Sequence, residues 1–529
     1  MKTRSFLLSA LAALMLAGCS EDAREDEIPG NVLVGKAYLS LSLQSRTSTL
    51  TRVDNVKTEN GSAAESAVSD VTVLLFDEDE VCLDVVNVPS GDITVGNSDG
   101  GTPPTTATAS KAQLVPEKTK KVFVVLNSAK WTFTKEAVVG KAWSTINTAI
   151  DAVIGDVATD SKFVMASAGT PADGALTPVT VHKPATYTTS DVAAAKKAAE
   201  DAPATINVDR LSAKVQVSQA SGFTKPTGSN FTFNGWELSV TNKSVRLYSD
   251  LVTYDNATPG AVYRRDKNYL ESEQPDVSDN NTKEANMDAV FNYLKNIKNV
   301  SENMPAVAQI DNASLYCLEN TMEAKAQQLG FTTKVVVKAQ YTPDGITKDA
   351  NYFSWKGAYY TLEQLKAEYL KHSDGTGLKV DLPIFLIKAG VMSQAEFDEG
   401  QDKRNEIVAN LSEGAAANQL NAKTGIIGRF CAVRYYHESV CYYDVLIRHD
   451  QNITTKMALG RYGVVRNNWY NIELNSVSGP GTPWIPDPSD PDPTNPTPPD
   501  TDDDEADAYL SVKITINPWT YWSQGVDLH

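Results

Sequence analysis

A chain of 529 residues exceeds any minimal module; at roughly 100–200 residues per domain it predicts two to four domains whose cores need no staples. Its formal net charge of −18 leaves no basic surface for a phosphate backbone, which excludes nucleic acid as a partner and makes anionic membrane surfaces poor ones. The apolar share of 41% and charged share of 22% are those of a globular protein, and five cysteines are too few for a disulfide framework.

Lys2 and Arg4 precede an apolar run from Phe6 to Ala17. The run is shorter than the roughly 20 residues that cross a bilayer, so residues 1–18 read as a cleaved signal peptide. It ends Leu16-Ala17-Gly18-Cys19, which resembles the bacterial lipobox, so the Cys19 thiol is expected to carry a diacylglycerol and the new amino group an acyl chain such as palmitate. At about 0.8 kcal/mol per buried CH₂, several chains on one residue hold a protein on a membrane without a spanning helix. An acidic tether, Glu21 to Glu27, follows.

Val32 to Gln44 alternates, with Leu39, Leu41 and Leu43 on one face and Tyr38, Ser40, Ser42 and Gln44 on the other, which predicts a half-buried strand. Ser45 to Ser69 is polar and carries Arg46 and Arg52, an exposed stretch of the kind proteases cut. Val71–Phe76 and Val81–Val88, joined by the acidic turn Asp77–Glu80, predict a β-hairpin. Lys121–Leu126 predicts a strand, and Ala142–Val153 and Asp191–Glu200 two short helices. Thr205 to Val217 alternates again, and a domain boundary is placed at Asp209, separating an N-terminal unit (53–208) from a C-terminal one (209–478).

Between Asn281 and Val300, Met287, Val290, Phe291, Leu294 and Ile297 recur at three and four, predicting one helix capped at Asn281 or Thr282. Thr361 with Gln364 and Ser393 with Glu396 read as capping boxes of two more helices. Arg429–Tyr436 and Val440–Arg448 read as a hairpin turning at His437–Ser439. In that register Cys431 and Cys441 lie on the order of 13 Å apart, too far for a disulfide, and read as buried thiols; the state of Cys82 and Cys317 stays open. Tyr435, Tyr436, Tyr442 and Tyr443 either pack a sheet or offer a glycan platform. Trp469–Val477 predicts another strand.

Residues 480–508 hold nine acidic residues and no basic one among many prolines, so 479–508 reads as an extended, flexible linker. Asp-Pro repeats lack the alternating oxygens and turn glycine of a calcium loop. In the last segment, 509–529, Leu510, Val512, Ile514 and Ile516 alternate with Ser511, Lys513, Thr515 and Asn517, a strand with one apolar face on an arm. Burying four such side chains contributes roughly 6 to 12 kcal/mol before the cost of ordering the arm.

The leading and trailing strands share one design, so either fits the same groove. If cleavage releases the first, the arm of a neighbouring subunit could fill the slot by strand addition, and repetition would give an open head-to-tail polymer. Pairing of both strands within their own subunit fits the pattern equally well.

Several segments occur in an order seen in one family: the lipobox at Cys19, Val71 to Phe76 with its acidic turn, Phe123 to Asn127, Val208-Asp209-Arg210-Leu211-Ser212-Ala213-Lys214-Val215, and Tyr316-Cys317-Leu318-Glu319-Asn320-Thr321. Arg461-Tyr462-Gly463-Val464-Val465-Arg466-Asn467-Asn468-Trp469-Tyr470, Ser478 to Pro483 and Ile516-Asn517-Pro518-Trp519 complete the series. On these the chain resembles the Bacteroidales fimbrilins, type V pilin lipoproteins. The resemblance implies a mainly β protein of two transthyretin-like antiparallel β-sandwich domains with a few peripheral helices and a C-terminal donor strand. It implies an outer-membrane lipoprotein precursor, then an extracellular fimbria that supports adhesion. An Arg-directed protease would cut after Arg52, leaving Val53 as the new N-terminus, with Arg46 as the alternative. Leu510, Val512, Ile514 and Ile516 would enter a neighbouring copy where Leu39, Leu41 and Leu43 had been, and tip and anchor subunits would be further partners.

The histidines, His182, His372, His437, His449 and His529, are scattered, and no phosphate loop or nucleophile elbow occurs, so no enzyme, metal site or cofactor is expected. The competing readings are a non-polymerising outer-membrane lipoprotein that binds glycan or host protein, and a tip or anchor component of the same fimbria.

Overall fold

The computed structural model describes residues 33–45, 59–60, 93–95, 510–520 and 524–526 and, with short interruptions, residues 62–89 and 111–505. The chain is mainly β. Its larger sheet runs in the order Cys82–Pro89, Asp70–Phe76, Lys121–Leu126, Met165–Ser167, Ala204–Arg210, Leu41–Ser45, Gln524–Val526, Ile93–Val95, with Thr177–Pro178 pairing off the path. The predicted hairpin of Asp70–Phe76 with Cys82–Pro89 is present, its turn closed by the Asp77 carboxylate accepting from Val81 N at 2.9 Å. The aliphatic strands bury both faces. Leu39, Leu41, Leu43, Val73, Val124, Ile206 and Val208 pack on one side, and Leu74, Phe76, Phe123, Val125 and Trp143 on the other.

The expected leading strand divides at Ser40. Lys36–Leu39 pairs antiparallel with Gln113–Pro116, while Leu41–Ser45 runs parallel to Ala204–Val208. Its polar face is covered, contrary to the half-buried expectation: Tyr38, Ser40 and Ser42 are only 2, 1 and 6% exposed. The predicted helix is the reason; it spans Thr189–Asp201 and lays Ala195 and Ala199 against Tyr38.

The helix expected over Ala142–Val153 is instead a single turn, Trp143–Ile146, followed by the two-residue strand Ile150–Asp151. No side chain caps its start, and Asn147 leaves the helix to exchange hydrogen bonds with the Tyr248 backbone at 2.9 and 3.0 Å.

At Leu211, whose N–H donates to Val164 O, the chain passes into a second unit. Ser314–Leu318, Ser212–Thr224, Asn468–Val477, Leu510–Thr520 and Glu59–Asn60 form one sheet there, and Asn230–Ser239, Lys334–Thr342 and Val440–Leu446 another. Val215, Val217, Trp236, Val335, Val337, Cys441, Ile472, Leu474, Leu510 and Ile514 fill the space between the two sheets, as in a β-sandwich.

Two expectations fail in this unit for local reasons. The helix read over Asn281–Val300 spans only Lys283–Val290, with no side-chain cap at Thr282. Phe291 leaves it to pair with Asn242 and pack on Val240 and Phe331, while Ile297 joins Ile426 and Trp484, so the apolar residues serve separate cores rather than one stripe. The hairpin of 429–436 with 440–448 does not form. Glu438 and Ser439 have φ of 51° and 60°, a left-handed corner that sends Arg434–Tyr436 to Tyr352–Trp355 and Val440–Leu446 to Lys334–Thr342.

Cys441 therefore lies opposite Ala339. Cys82, Cys317, Cys431 and Cys441 are all free thiols, Cys431 only half-buried, and burial pushes Cys317 up to about 12 and Cys441 to about 11. The four tyrosines pack the interior, the most exposed being Tyr443 at 4%, with Tyr436 stacked on Tyr352 at 4.5 Å; these rings are not a surface platform.

Both capping boxes are present, at the helices Leu362–Lys371 and Gln394–Asp398. These helices and Leu378–Lys388 form a satellite core around Leu365, Leu382 and Phe385, packed on Phe353 and Tyr435.

Candidate functional site

The trailing strand, Leu510–Thr520, pairs antiparallel with Asn468–Val477, placing Leu510 opposite Val477, Val512 opposite Leu474 and Ile514 opposite Ile472. Leu510 and Ile514 enter the sandwich core, each 7% exposed, and Val512 packs against it; of Ile516 only the backbone is described, opposite Tyr470. Ser511 and Lys513 face outward. Among the described residues, its other edge has a strand partner only at Trp519 and Thr520, which meet Glu59–Asn60. From Leu510 to Pro518 it is therefore the outermost described strand of its sheet. A cleft of about 230 Å³, lined by Leu510, Val512, Ile514, Val445, Arg448 and Tyr462 among others, runs beside it.

The leading strand has the opposite setting. Leu41–Ser45 lies inside the larger sheet, with Ala204–Val208 on one side and Gln524–Val526 on the other. Leu39, Leu41 and Leu43 are at most 1% exposed. Beyond the trailing strand, then, the C-terminal tip of the chain is hydrogen-bonded to its N-terminal strand.

Residues 479–505 depart most from expectation. They are packed, not a free linker. Thr482 exchanges backbone hydrogen bonds with Tyr442 at 2.7 and 3.0 Å, and Trp484 and Ile485 are buried. Asp490 pairs with Arg429. Farther on, Gly330 N donates to Pro499 O at 2.9 Å, Leu329 N to Thr501 O at 3.0 Å and Asp503 N to Gln327 O at 3.0 Å. A Cβ on Gly330 would stand 2.7 Å from that of Pro499, so the close approach requires glycine. Asp504 accepts from Arg461 Nη2 at 2.7 Å, Tyr462 Oη at 2.9 Å and Met457 N at 2.8 Å. Specific cations thus offset the repulsion that predicted an extended chain.

Asp503 is 2% exposed and accepts from Thr332 Oγ1 at 2.5 Å. Burial, with the charges of Asp504 and Asp502, pushes its carboxyl up to about 8 against the hydrogen bond from Thr332 and the charge of Lys334. An acid whose folded pKa is raised costs stability as pH climbs from its unfolded value near 4 toward 8. Asp503→Asn removes that ionisation. It is expected to melt above the wild type at pH 8, by at least the roughly 2 °C that 1 kcal/mol produces in a domain of this size, with the gap closing by pH 5. Equal pH profiles in calorimetry would refute this account.

Three of the segments singled out in the sequence converge at the junction of the two units. Arg264 Nη2 lies 2.6 Å from Asp209 and its Nε 3.9 Å from Glu319, and Arg466 Nε lies 3.0 Å from Glu319. Asn467 Nδ2 donates to Asp209 Oδ1 at 3.1 Å. Beside them Glu65 accepts from Lys214 Nζ at 2.8 Å and Tyr316 Oη at 2.6 Å, and Arg210 Nε donates to the Glu65 carbonyl at 2.9 Å. Burial raises the Glu319 carboxyl, but Arg466 and Arg264 outweigh it and hold it below the usual range. Sequence reasoning assigned these residues no role; the signal available was charge within otherwise apolar strands at Asp209, Arg210 and Lys214. His449 Nδ1 lies 2.9 Å from Tyr470 Oη, and burial lowers it to about 4.

Among the described residues no group of three or more His, Cys, Asp or Glu could hold a metal, and no helix is long and apolar enough to cross a membrane. Cys19, Arg46, Arg52 and Val53 lie outside the described residues.

Residues 434–525, from the corner strand through the trailing strand to the tip, match the family model for the major fimbrial subunit protein type IV, fimbrillin, C-terminal. This part of the chain is similar to the fimbrillin C-terminal region. The match covers the trailing strand, its partner Asn468–Val477 and the packed acidic segment between them. Among solved structures the chain is similar to a fimbrilin from Porphyromonas gingivalis W83, at 14% identity over 92% of this chain and 98% of that one, with a TM-score of 0.37. It is also similar to putative cell adhesion proteins from Bacteroides eggerthii (12% identity, 94% and 99% coverage, TM-score 0.37) and Parabacteroides distasonis (15% identity, 92% and 99% coverage, TM-score 0.39). No curated protein matches the chain.

Proposed function

We propose that the chain is a structural subunit of a surface fimbria that supports adhesion. It is exported as an outer-membrane lipoprotein through Cys19, cut by an Arg-specific protease, and polymerised when the trailing strand of one copy enters the slot vacated by the leading strand of the next. The observation that carries this reading is the contrast between the two strands. The trailing strand has a strand partner on one side only along most of its described length, and the leading strand is interior to the larger sheet, held by Ala204–Val208 and by the chain's own Gln524–Val526, so its loss together with the departure of the arm opens a groove along Ala204–Val208.

Fully burying Leu39, Leu41 and Leu43 is worth about 4.5 to 9 kcal/mol, so an emptied slot strongly favours a replacement with Leu510, Val512 and Ile514 at the same two-residue period. Arg46 directly follows the paired residue Ser45, so cutting there requires the strand end to fray. Arg52 is seven residues before Glu59 and suits a protease better. Tip and anchor subunits are the further partners of this reading.

Electrophoresis of surface fractions without boiling, with N-terminal sequencing of each band, tests it. A ladder whose subunits begin at Val53 is expected. A single monomer band with a blocked Cys19 would replace this reading with that of a static surface lipoprotein or an anchor.

A further inference from the structure

The acidic segment and the trailing strand are held by independent contacts. Trp484 packs with Ile297 and Ile426 and Ile485 with Val336 and Tyr442, whereas Leu510 and Ile514 belong to the sandwich core. Between these regions Pro499, Thr501 and Asp503 are each hydrogen-bonded to the segment Gln327–Gly330, and Asp504 sits among Arg461, Tyr462 and the Met457 N–H. The trailing strand is instead paired with Asn468–Val477 and borders a cleft on its other side, so it can leave without breaking the contacts of Pro499, Thr501 and Asp503 with Gln327–Gly330.

We propose that residues 499–505 are a fixed clasp that stays on its own subunit during assembly, so that the arm handed to a neighbour begins after Glu505 rather than at residue 479. This rests on the strand-exchange reading. Residues 506–529 span at most about 80 Å when extended, enough for a short connection and an eleven-residue strand. The clasp thereby shortens the tether by more than half and sets the spacing between successive subunits.

Two disulfide-locked variants of the full-length precursor separate the clasp from the exchange. Gln328 and Asp502 are bridge partners, and Glu473 and Lys513 are paired in the sheet, so Q328C/D502C locks the clasp and E473C/K513C locks the trailing strand; paired Cα atoms lie within disulfide reach. Peptide mapping establishes each bond. After proteolytic cleavage under oxidising conditions, the clasp-locked protein is expected to form the same ladder as wild type, and the strand-locked protein to stay monomeric until reductant is added. If both locks abolish the ladder, exchange stands and the clasp proposal is overturned. If the strand lock leaves the ladder intact, the exchange reading fails and the clasp proposal with it. Hydrogen exchange on wild-type polymer reads the same point without substitutions. The amides of Leu329, Gly330 and Asp503 should stay as protected as in the monomer, and their deprotection on assembly would overturn the proposal.

Discussion

Replacing Glu319 with alanine is expected to cost about 3 to 5 kcal/mol, the penalty for removing one partner of a buried ion cluster. Glu319 is 1% exposed and takes three hydrogen bonds from Arg466, from its backbone N at 3.2 Å, Nε at 3.0 Å and Nη2 at 3.1 Å. Without it Arg466 keeps the Leu247 and Arg246 carbonyls at 2.8 and 3.0 Å but no counter-charge, and Arg264 retains Asp209. Because Asp209 ends a strand of the larger sheet while Glu319 and Arg466 belong to the sandwich unit, the loss falls at the junction. Chemical denaturation followed by tryptophan fluorescence should show a lower midpoint than wild type. An unchanged midpoint would mean that the cluster carries no net stability. The depressed Glu319 carboxyl adds a pH signature, since its contribution is present above its unfolded pKa and lost as pH falls through the folded one.

Deleting residues 506–529 is expected to abolish multimers and to weaken the sandwich together. Leu510 and Ile514 contribute about 3 to 6 kcal/mol of burial at roughly 1.5 to 3 each, and the deletion leaves the backbone of Asn468–Val477 without its outer neighbour. A synthetic peptide of residues 506–529 should raise the melting temperature of the truncated protein by refilling its own groove. Multimers that survive the deletion would rule out this strand as the donor. A truncated protein that melts like wild type would mean the seating seen here contributes nothing.

The strands were legible in the sequence where they form an alternating pattern or, with both faces buried, a continuous apolar run. Asp70–Phe76, Cys82–Pro89, Lys121–Leu126 and Leu510–Thr520 needed only alternation or an apolar run, and the capping boxes at Thr361 and Ser393 only local spacing. What escaped depends on contacts distant in sequence. Nothing near Tyr38 announces the helix that covers it. The corner at Glu438 and Ser439 reads as a hairpin turn because left-handed backbone at two non-glycine residues leaves no compositional mark. Residues 479–505 read as a linker because repulsion is counted along the chain, while Arg429 and Arg461, which offset it, arrive from elsewhere in the fold. The junction eluded reading for the same reason: Asp209, Glu319 and Arg466 are more than a hundred residues apart in sequence, and nothing local pairs them.

The pairing of Leu41–Ser45 also ties one step of folding to the far end of the chain. Its two neighbours are Ala204–Val208 and Gln524–Val526, so the first strand made is enclosed on both sides only once the last residues of the chain have arrived. Loop closure over such separations is entropically costly and slow. Six adjacent strands of the larger sheet, all from residues 41–210, can pair without the rest of the chain, but the outer side of Leu41–Ser45 stays open until the last residues arrive.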